Sequence, residues 1–346
     1  MSSSSSQANE VPLLAAPPPS LAWGTSPSLY LSYGIASLQG RRAALTDAVA
    51  AAPSFTVLSP PMGLDYFAVF DGHDGTAVAK YLQKRLGAAI AGLIEHELMA
   101  SANPRFLRSN DVAQWWNTTI QQAFWYVDNE LTGVVGDDMM DVGATALVVL
   151  VLKNYLVLAN CGFSKAVVSC GGEAVVLSPE HQEDMAGLQK LMEMTGCDLA
   201  DAKLLMAKQT ARVFGSALHK ADEVEMMPPE VISVARELGD EFLILASDGV
   251  WESVTPAAAC AFVRQSLLTT PSELDARGSP TLVAKELAEH AIDMGSQDNV
   301  SVILVLFKDF WTTTNTATES ATEPPKTVRR RRRNVRLAGP EWDHCG

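Results

Sequence analysis

Three aspartates that lie far apart in the chain each stand at one end of an apolar segment: Asp71, Asp248 and Asp298. A fourth apolar segment begins at Gly143, with Asp141 just ahead of it. Mg2+ and Mn2+ prefer oxygen ligands, and carboxylates on rigid supports supply them. Carboxylates at the ends of buried strands are therefore typical of a divalent-cation site, and the pattern predicts a metal-dependent hydrolase.

The apolar segments themselves are predicted strands. Six short runs are rich in Val, Ile, Leu and Phe, which favour buried strands. They are residues 66–70, 145–152, 155–159, 166–169, 242–246 and 300–307. The dipeptide Lys153-Asn154 predicts a tight turn between the second and the third run.

Helical spacing of apolar residues separates groups of these strands. Helices are predicted over residues 78–94, 116–131, 255–268 and 280–292. The third begins with Thr255 and Pro256, a favourable cap followed by a favourable first helical residue. A strand hairpin between pairs of helices favours a layered α+β fold over alternating βαβ units.

The chain is long enough for a sizeable core, with 346 residues of which 47% are hydrophobic. The motifs are interleaved between residues 34 and 307, so we expect one domain over residues 28–311 and disordered segments at 1–27 and 312–346. No apolar run reaches the roughly 18 residues of a membrane-spanning helix, and no secretion signal is expected. The five cysteines lack a metal-binding or CxxC spacing, so free thiols are expected.

Charge is distributed unevenly along the chain. The net charge is −14, but residues 312–346 contain seven basic and four acidic residues. The remainder therefore carries 19 basic and 36 acidic residues, a net charge of −17. An acidic body repels nucleic acid, which is not an expected partner. Five consecutive arginines at 329–333 predict a nuclear-import signal, a patch for an anionic partner or a solvated tail.

Six ordered segments resemble those of the type-2C protein phosphatases, the Mg2+/Mn2+-dependent serine/threonine phosphatases. They are YGIASLQGRR, FAVFDGHDG, GATALVVLV, LANCG, FLILASDGVWE and GSQDNVSVILV. The resemblance extends from about residue 33 to residue 307 and is strongest to the plant branch. It implies a four-layer α-β-β-α sandwich, with two antiparallel sheets flanked by helices and a metal site at one end.

The resemblance also implies roles for individual residues. Asp71 would bridge two Mg2+ or Mn2+ ions per subunit, the Gly72 carbonyl would bind one ion, and Asp248 and Asp298 would bind the other. Asp47 would hold the waters around the ions. The implied reaction is direct attack of a metal-activated water on phosphoserine or phosphothreonine, without a phosphoenzyme. For Asp71 and Gly72, a simple Asp-Gly turn is the alternative.

Two further residues match family positions that act on the phosphate. Arg42 matches the phosphate-binding arginine, since a guanidinium holds two phosphoryl oxygens. His73 matches the proposed general acid for the leaving seryl or threonyl oxygen, because imidazole titrates near neutral pH. If Arg41 and Arg42 lie on a strand they face opposite sides, so one of them is solvated. The alternative for His73 is a purely structural bond to a carboxylate such as that of Asp74.

The surroundings of the aspartates depart from the family pattern. Thr46 replaces a glutamate, and Phe163 and Lys165 replace an aspartate and an arginine. No Ser-Arg-Ala-Ile-Gly-Asp segment follows Gly215, and residues 183–210, which resemble the substrate-side flap, form a Met-rich helical stretch. Losing an outer-shell partner typically costs about 10 to 100-fold in metal affinity or activity. Candidates for a third metal ligand are Asp141, Asp137 and Asp138.

We therefore expect a protein serine/threonine phosphatase that acts on a phosphoprotein substrate. Nucleic-acid and membrane partners are not expected, and the protein is expected to be an intracellular monomer in the cytoplasm, the nucleus or both. The alternative is a pseudophosphatase that retains the fold and binds phosphoproteins or a regulatory partner. The retained aspartates, Arg42 and His73 favour the enzyme, whereas the changes around them favour the binding module. A nuclease is a third alternative, which the acidic body disfavours.

Overall fold

Two five-stranded antiparallel sheets lie face to face at the centre of the protein. The structure is a computed structural model, which describes residues 31–56, 64–99, 112–134, 142–178, 193, 196, 213–215, 228–237, 239–269 and 280–307. Sheet I contains, in spatial order, β1 (Leu31–Leu38), β12 (Val300–Phe307), β11 (Asp240–Ala246), β8 (Lys165–Cys170) and β9 (Glu173–Val176). Sheet II contains β10 (Glu230–Ala235), β7 (Tyr155–Cys161), β6 (Ala146–Val151), β3 (Asp65–Phe70) and β2 (Ala48–Ala52).

Helices cover the outer face of each sheet. They are α1 (Ala77–Met99), α2 (Val112–Val134), α3 (Asp248–Trp251), α4 (Pro256–Thr269) and α5 (Pro280–Asp293). Helices α1 and α2 share a core cluster with sheet II, and α4 and α5 share one with sheet I. A two-stranded ribbon of β4 (Gly72–His73) and β5 (Gly143–Ala144) extends from sheet II. The predicted α-β-β-α sandwich is confirmed.

Central strands such as β3 and β6 are apolar along nearly their whole length because both faces of the sheet are covered there. On β3, Phe67 and Val69 belong to the layer of side chains between the sheets, whereas Tyr66 and Phe70 belong to the cluster beneath α1 and α2. We call the first of these layers the inter-sheet layer. Strand side chains alternate between faces, and here both faces are buried. All six residues of β6 are accordingly buried.

The predicted strands and helices agree closely with those of the structure. All six predicted strands and all four predicted helices are present, and residues 152–154 form the predicted turn between β6 and β7. The strands without a prediction are β1, β2, β4, β5, β9 and β10. Strand β2 has the sequence AVAAA, and alanine has a low propensity for strands. Its place in the sheet comes from pairing with β3.

Close packing between strand β1 and helix α5 explains why residue 34 is a glycine. A Cβ atom on Gly34 would lie 2.0 Å from the backbone of Pro280 and Thr281, at the start of α5. Helix α5 therefore rests directly on β1. No helix among the residues that the structure describes is long and apolar enough to cross a membrane.

Candidate metal centre

The strand register brings the aspartates to the same end of the sandwich. In sheet II, Ala48 pairs with Phe70, so Asp47 before β2 lies beside Asp71 after β3. In sheet I, β11 runs antiparallel to β12, so Asp248 after the first strand and Asp298 before the second lie at that sheet's corresponding end. Each sheet therefore supplies two carboxylates.

A cleft of about 470 Å³ opens at this end of the sandwich. Its wall includes six of the seven predicted site residues: Arg42, Asp71, Gly72, His73, Asp248 and Asp298. The seventh, Asp47, is buried behind the wall, where its carboxylate accepts hydrogen bonds from Ser247 and Ser301. The structure thus brings all seven predicted residues to one place.

The electrostatics of the cleft show an excess of negative charge. Burial and the nearby carboxylates of Asp248, Asp47 and Asp298 raise the pKa of Asp71 well above its ordinary value. Burial, followed in importance by the charges of Asp248 and Asp298, raises the pKa of Asp47 to about 7. Asp248 is the carboxylate that contributes most to this rise, because two like charges side by side repel each other. Without a cation, these groups hold protons to limit their repulsion.

The donor set fits a hard divalent cation. The predicted ligands are carboxylates and one backbone carbonyl, which suit Mg2+ and Mn2+ better than softer metals. Asp47 Oδ2 is buried and has no hydrogen-bond partner. Within the described ranges, no three or more Asp, Glu, His or Cys side chains already surround one point as metal ligands. The cluster has the charge and the donor atoms for cations. Its side chains would have to move closer together to coordinate one.

Arg42 holds one of the predicted ligands. Its Nε donates a hydrogen bond to Asp298 Oδ1 and its Nη2 donates one to Oδ2, both at 2.9 Å. A bidentate pair of this kind is the strongest geometry for an arginine and a carboxylate. The two predicted roles, phosphate binding by Arg42 and cation binding by Asp298, therefore require that this ion pair opens.

The prediction that Arg41 and Arg42 lie on a strand is wrong. Strand β1 ends at Leu38, and both arginines lie in the turn that follows it. Their side chains nevertheless lie on different sides of the chain, because Arg42 lines the cleft and Arg41 is exposed. Arg41 donates a 3.4 Å hydrogen bond to the carbonyl of Ile292.

Asn299 fastens this turn to the site. Its side-chain amide donates hydrogen bonds to the carbonyls of Gln39 at 2.7 Å and Ala44 at 2.9 Å. Its Oδ1 accepts hydrogen bonds from the backbone N–H and the hydroxyl of Thr46, at 2.8 and 2.9 Å. The hydroxyl that replaces the family's glutamate is therefore used to anchor the loop. Sequence reasoning did not assign this role to Asn299, which was noted only as part of a motif.

Gly72 is a glycine for a different reason from the one we expected. A Cβ atom at this position would lie 2.3 Å from the carbonyl oxygen of Thr46. The chain segments around Asp47 and Asp71 can approach each other only because this side chain is missing. Packing of the two acidic segments thus requires the glycine, whether or not its carbonyl binds an ion.

His73 is held between a carboxylate and a glycine. Its Nδ1 lies 3.2 Å from Asp74 Oδ2. On the other edge of the ring, a Cβ atom on Gly143 would lie 2.5 Å from Nε2. The bond that we considered as the alternative role of His73 is therefore present, and it lies in the wall of the cleft.

Phe163 and Thr145 are two of the cleft residues that were not predicted as site residues. Phe163 lines the wall at the position where the family has an aspartate. Thr145 also lines the wall, and its backbone N–H donates a 2.9 Å hydrogen bond to the Asp71 carbonyl. The sequence signal for Phe163 was its departure from the family motif. The candidate third-metal residues 137, 138 and 141, the flap region 183–210 except residues 193 and 196, and the segment after Gly215 lie outside the described residues.

The raised carboxyl pKa values predict how pH affects the metal-free protein. An aspartate in the unfolded chain titrates near 3.9, whereas folded Asp47 titrates at about 7. Between these values the folded state binds more protons, so stability is greatest at low pH and falls as pH rises toward 7. In EDTA, we expect the melting temperature to fall by several degrees between pH 5 and roughly pH 7.5.

Calorimetry with and without Mn2+ checks this prediction. Bound Mn2+ offsets the carboxylate charges, so the melting temperature should no longer fall over this pH range. The variant Asp47→Asn in EDTA should show a shallower fall than the unchanged protein. A melting temperature that rises with pH in EDTA would contradict the prediction.

Comparison with known protein families is consistent with the fold. A family model described as Protein phosphatase 2C matches residues 31–300. Protein phosphatase 2C 56 of Arabidopsis thaliana is 31% identical over 305 residues, which cover 80% of this chain and 68% of that protein. Probable protein phosphatase 2C 8 of Oryza sativa subsp. japonica is 32% identical over 301 residues, which cover 80% of this chain and 74% of that protein.

Solved structures share the fold at lower identity. The serine-threonine phosphatase 2C from Toxoplasma gondii superposes with a TM-score of 0.60 at 16% identity, over 82% of this chain and 96% of that chain. The catalytic domain of the serine threonine protein phosphatase PstP, in complex with 2 manganese ions, gives a TM-score of 0.51 at 20% identity, over 80% and 98% of the two chains. At these identities the likeness establishes the architecture.

Proposed function

From the chain's membership of the protein phosphatase 2C family, which makes it a metal-dependent protein serine/threonine phosphatase, we propose how its cleft performs that reaction. Asp71, Asp248 and Asp298, together with the Gly72 carbonyl, would hold Mg2+ or Mn2+, for which we propose two ions. Asp47, which is buried behind the wall of the cleft, would hold the waters around the ions. When bound, the ions neutralise phosphate charge and lower the pKa of a water nucleophile.

The chain's own residues bind and orient the phosphorylated side chain. Arg42 lies in the cleft wall with a guanidinium that matches two phosphoryl oxygens once Asp298 releases it. The phosphate would then replace the Asp298 carboxylate as the bidentate partner of Arg42. His73 and Asp74 lie in the same wall, where a proton for the leaving oxygen of serine or threonine is needed.

One observation carries the proposal. Asp71, Asp248 and Asp298 come from distant parts of the chain, and the register of two sheets brings them to one cleft that also contains Arg42. Burial, and after it the charges of the neighbouring carboxylates, raises the pKa values of Asp71 and Asp47. Such a cluster destabilises the protein unless it binds a cation. The PstP domain, which carries manganese ions in its crystal structure, supports the choice of metal.

Hydrolysis of a phosphothreonine peptide tests this function. We expect turnover that requires Mn2+ or Mg2+, stops in EDTA and returns when Mn2+ is added in excess. The variant Asp298→Asn should lose most of this turnover. Absence of metal-dependent turnover in the unchanged protein, or the same turnover in Asp298→Asn, would overturn the proposal.

The same assay separates the enzyme from a pseudophosphatase. A pseudophosphatase would bind the phosphothreonine peptide, as measured by fluorescence anisotropy, and release no phosphate. The metal stoichiometry is measured independently by titration calorimetry, for which we propose two ions per subunit. We also propose that the protein is an intracellular monomer in the cytoplasm, the nucleus or both. Deletion of residues 326–336 should then shift its distribution toward the cytoplasm if the arginine run is a nuclear-import signal.

A further inference from the structure

The turn between β7 and β8 crosses from sheet II to sheet I at the end of the sandwich where the cleft opens. It consists of residues 162–164. Lys165 at the start of β8 pairs with Ala246 at the end of β11, and two more steps along this antiparallel register bring Phe163 to the level of Asp248. The turn therefore lies beside one of the predicted metal ligands.

Two buried residues fix the shape of this turn. Gly162 has a φ of +128°, and a Cβ atom on it would lie 2.3 Å from the Cβ atom of Thr145. The Gly162 carbonyl accepts a 3.2 Å hydrogen bond from the side-chain amide of Asn160. Ser164 is buried, whereas Phe163 between them is half-buried and lines the cleft. The turn thus presents a single side chain to the cleft.

Phe163 differs in its chemistry from the rest of the wall. Among the described residues that line the cleft it is the only large apolar side chain, since the others are charged or polar residues, glycines and alanines. A phenyl ring is a ligand for neither a hard cation nor a phosphate. Where the family has an aspartate, this chain therefore offers an apolar surface, and covering such a surface with another apolar group is favourable.

The substrate brings the group that covers this ring. Serine and threonine side chains are short, so a phosphate held at the carboxylate cluster and Arg42 draws the peptide backbone and its neighbouring residues against the wall of the cleft. We propose that Phe163 is a specificity-determining residue, which contacts an apolar side chain directly before or after the phosphorylated residue. This inference rests on the proposed function, and it narrows the substrate class to phosphopeptides with a large apolar residue at that place.

A set of three peptides tests this preference. In the first, phosphothreonine stands among alanines, and in the other two a leucine replaces the alanine directly before or directly after it. We expect kcat/KM to be roughly 5 to 10-fold higher for leucine at one of the two positions, because the leucine side chain is partly buried against the ring. In Phe163→Ala this ratio should fall to less than about twofold, since the apolar surface is lost.

Three further variants control this comparison. Phe163→Leu keeps an apolar side chain and should retain most of the preference for leucine. Phe163→Asp introduces the residue that the family has at this place, which the fold accommodates, and it should abolish the preference for leucine and favour lysine at the same position. Trp125→Ala removes an aromatic side chain of α2 that is 51% exposed and does not line the cleft, so it should leave the preference unchanged.

The ratio of kcat/KM values separates recognition from a structural effect. If Phe163 only stabilises the fold, Phe163→Ala lowers turnover of all three peptides equally and leaves the ratio as it was, which would overturn the inference. Absence of a leucine preference in the unchanged protein would also overturn it.

Binding supplies a readout that does not depend on turnover. If the unchanged protein hydrolyses none of the peptides, the proposed function fails. The same peptides with a non-hydrolysable phosphonate in place of the phosphate ester then decide the role of Phe163 by fluorescence anisotropy in the presence of Mn2+. Tighter binding of a leucine peptide that is lost in Phe163→Asp supports the inference, and equal affinities for all three peptides contradict it.

Discussion

Replacement of Asp71 by asparagine is expected to abolish metal-dependent turnover of the phosphothreonine peptide. Its carboxyl group interacts with the charges of Asp248, Asp47 and Asp298, and the proposed function places it among the ligands of the metal ions. Loss of an outer-shell partner of a metal typically costs about 10 to 100-fold, so loss of a direct ligand should cost more. We therefore expect kcat/KM to fall by at least about 10³-fold.

The same variant should have the opposite effect on the metal-free protein. Asp71→Asn removes one carboxyl group from the cluster of Asp47, Asp71, Asp248 and Asp298, in which burial and charge repulsion raise the pKa values of Asp71 and Asp47. In EDTA its melting temperature at pH 7.5 should therefore be higher than that of the unchanged protein. Adding Mn2+ should raise the melting temperature of the unchanged protein and have little effect on the variant.

Asp65→Asn is the matched control. Asp65 begins strand β3 and Asp71 follows its end, so the two residues are about 20 Å apart along one strand. Asp65 accepts a 2.7 Å hydrogen bond from the backbone of Ser54 and takes no part in the cleft. Its replacement should leave turnover and the response to Mn2+ unchanged. Equal turnover in the Asp71 and Asp65 variants would rule out a role for Asp71 in the metal centre.

Arg42→Ala is expected to change phosphate binding and cation binding in opposite directions. Without the guanidinium, the phosphoryl group loses a bidentate partner, and a single donor of this kind is worth about 10² to 10³-fold in rate. We expect kcat/KM for the phosphothreonine peptide to fall by that amount. Asp298, however, is freed from an ion pair with two 2.9 Å hydrogen bonds. Mn2+ should therefore bind more tightly to the variant.

The expected gain in cation affinity is small because the ion pair is partly exposed. The Arg42 and Asp298 side chains are 38% and 18% exposed, and ion pairs that solvent can reach contribute about 0 to 1 kcal/mol. This range corresponds to at most about fivefold in the dissociation constant for Mn2+. Titration calorimetry with Mn2+ measures the change directly, and activity assays at saturating Mn2+ measure the loss of phosphate binding separately.

Arg41→Ala serves as the control for this variant. Arg41 is the adjacent residue in the same turn and carries the same charge, but it bonds the Ile292 carbonyl on the exposed side. Its loss should affect neither turnover nor Mn2+ affinity by more than about twofold, as expected for surface positions. If both arginine variants tighten Mn2+ binding equally, general electrostatics explains the effect and the Arg42–Asp298 ion pair does not.

The ends of the apolar strands could be predicted from sequence because burial on both faces leaves a continuous apolar run. Strands β3, β6, β11 and β12 are such runs, and the aspartates that border β3, β11 and β12 were identified with them. Helices α1, α2, α4 and α5 were equally clear, because their spacing follows the helical period. Most of the metal centre could therefore be located before the fold was known.

Contacts between distant segments could not be predicted in the same way. The pairing of Arg42 with Asp298 joins residues 256 positions apart, and its geometry follows from the packing of the turn after β1 against the start of β12. Asn299 joins Thr46 across 253 positions for the same reason. Strand β2 carries only small side chains, so its sequence contains little signal for a strand. In each case the information lies in the tertiary packing and not in the local sequence.

The inter-sheet layer separates the two halves of the metal centre. Asp47 and Asp71 belong to the ends of sheet II, and Asp248 and Asp298 belong to the ends of sheet I. The side chains between the sheets, such as Phe67 on one face and Leu245 on the other, therefore determine how far apart the two pairs of carboxylates lie. Packed sheets are about 10 Å apart, and core side chains resist compression. Mg2+ requires ligands at close to 2.1 Å in octahedral geometry, whereas Ca2+ accepts longer distances. We therefore expect the packing of the apolar interior to influence which ion size fits between the carboxylates. Substitutions in the core, far from any ligand, should then alter which cation the protein selects.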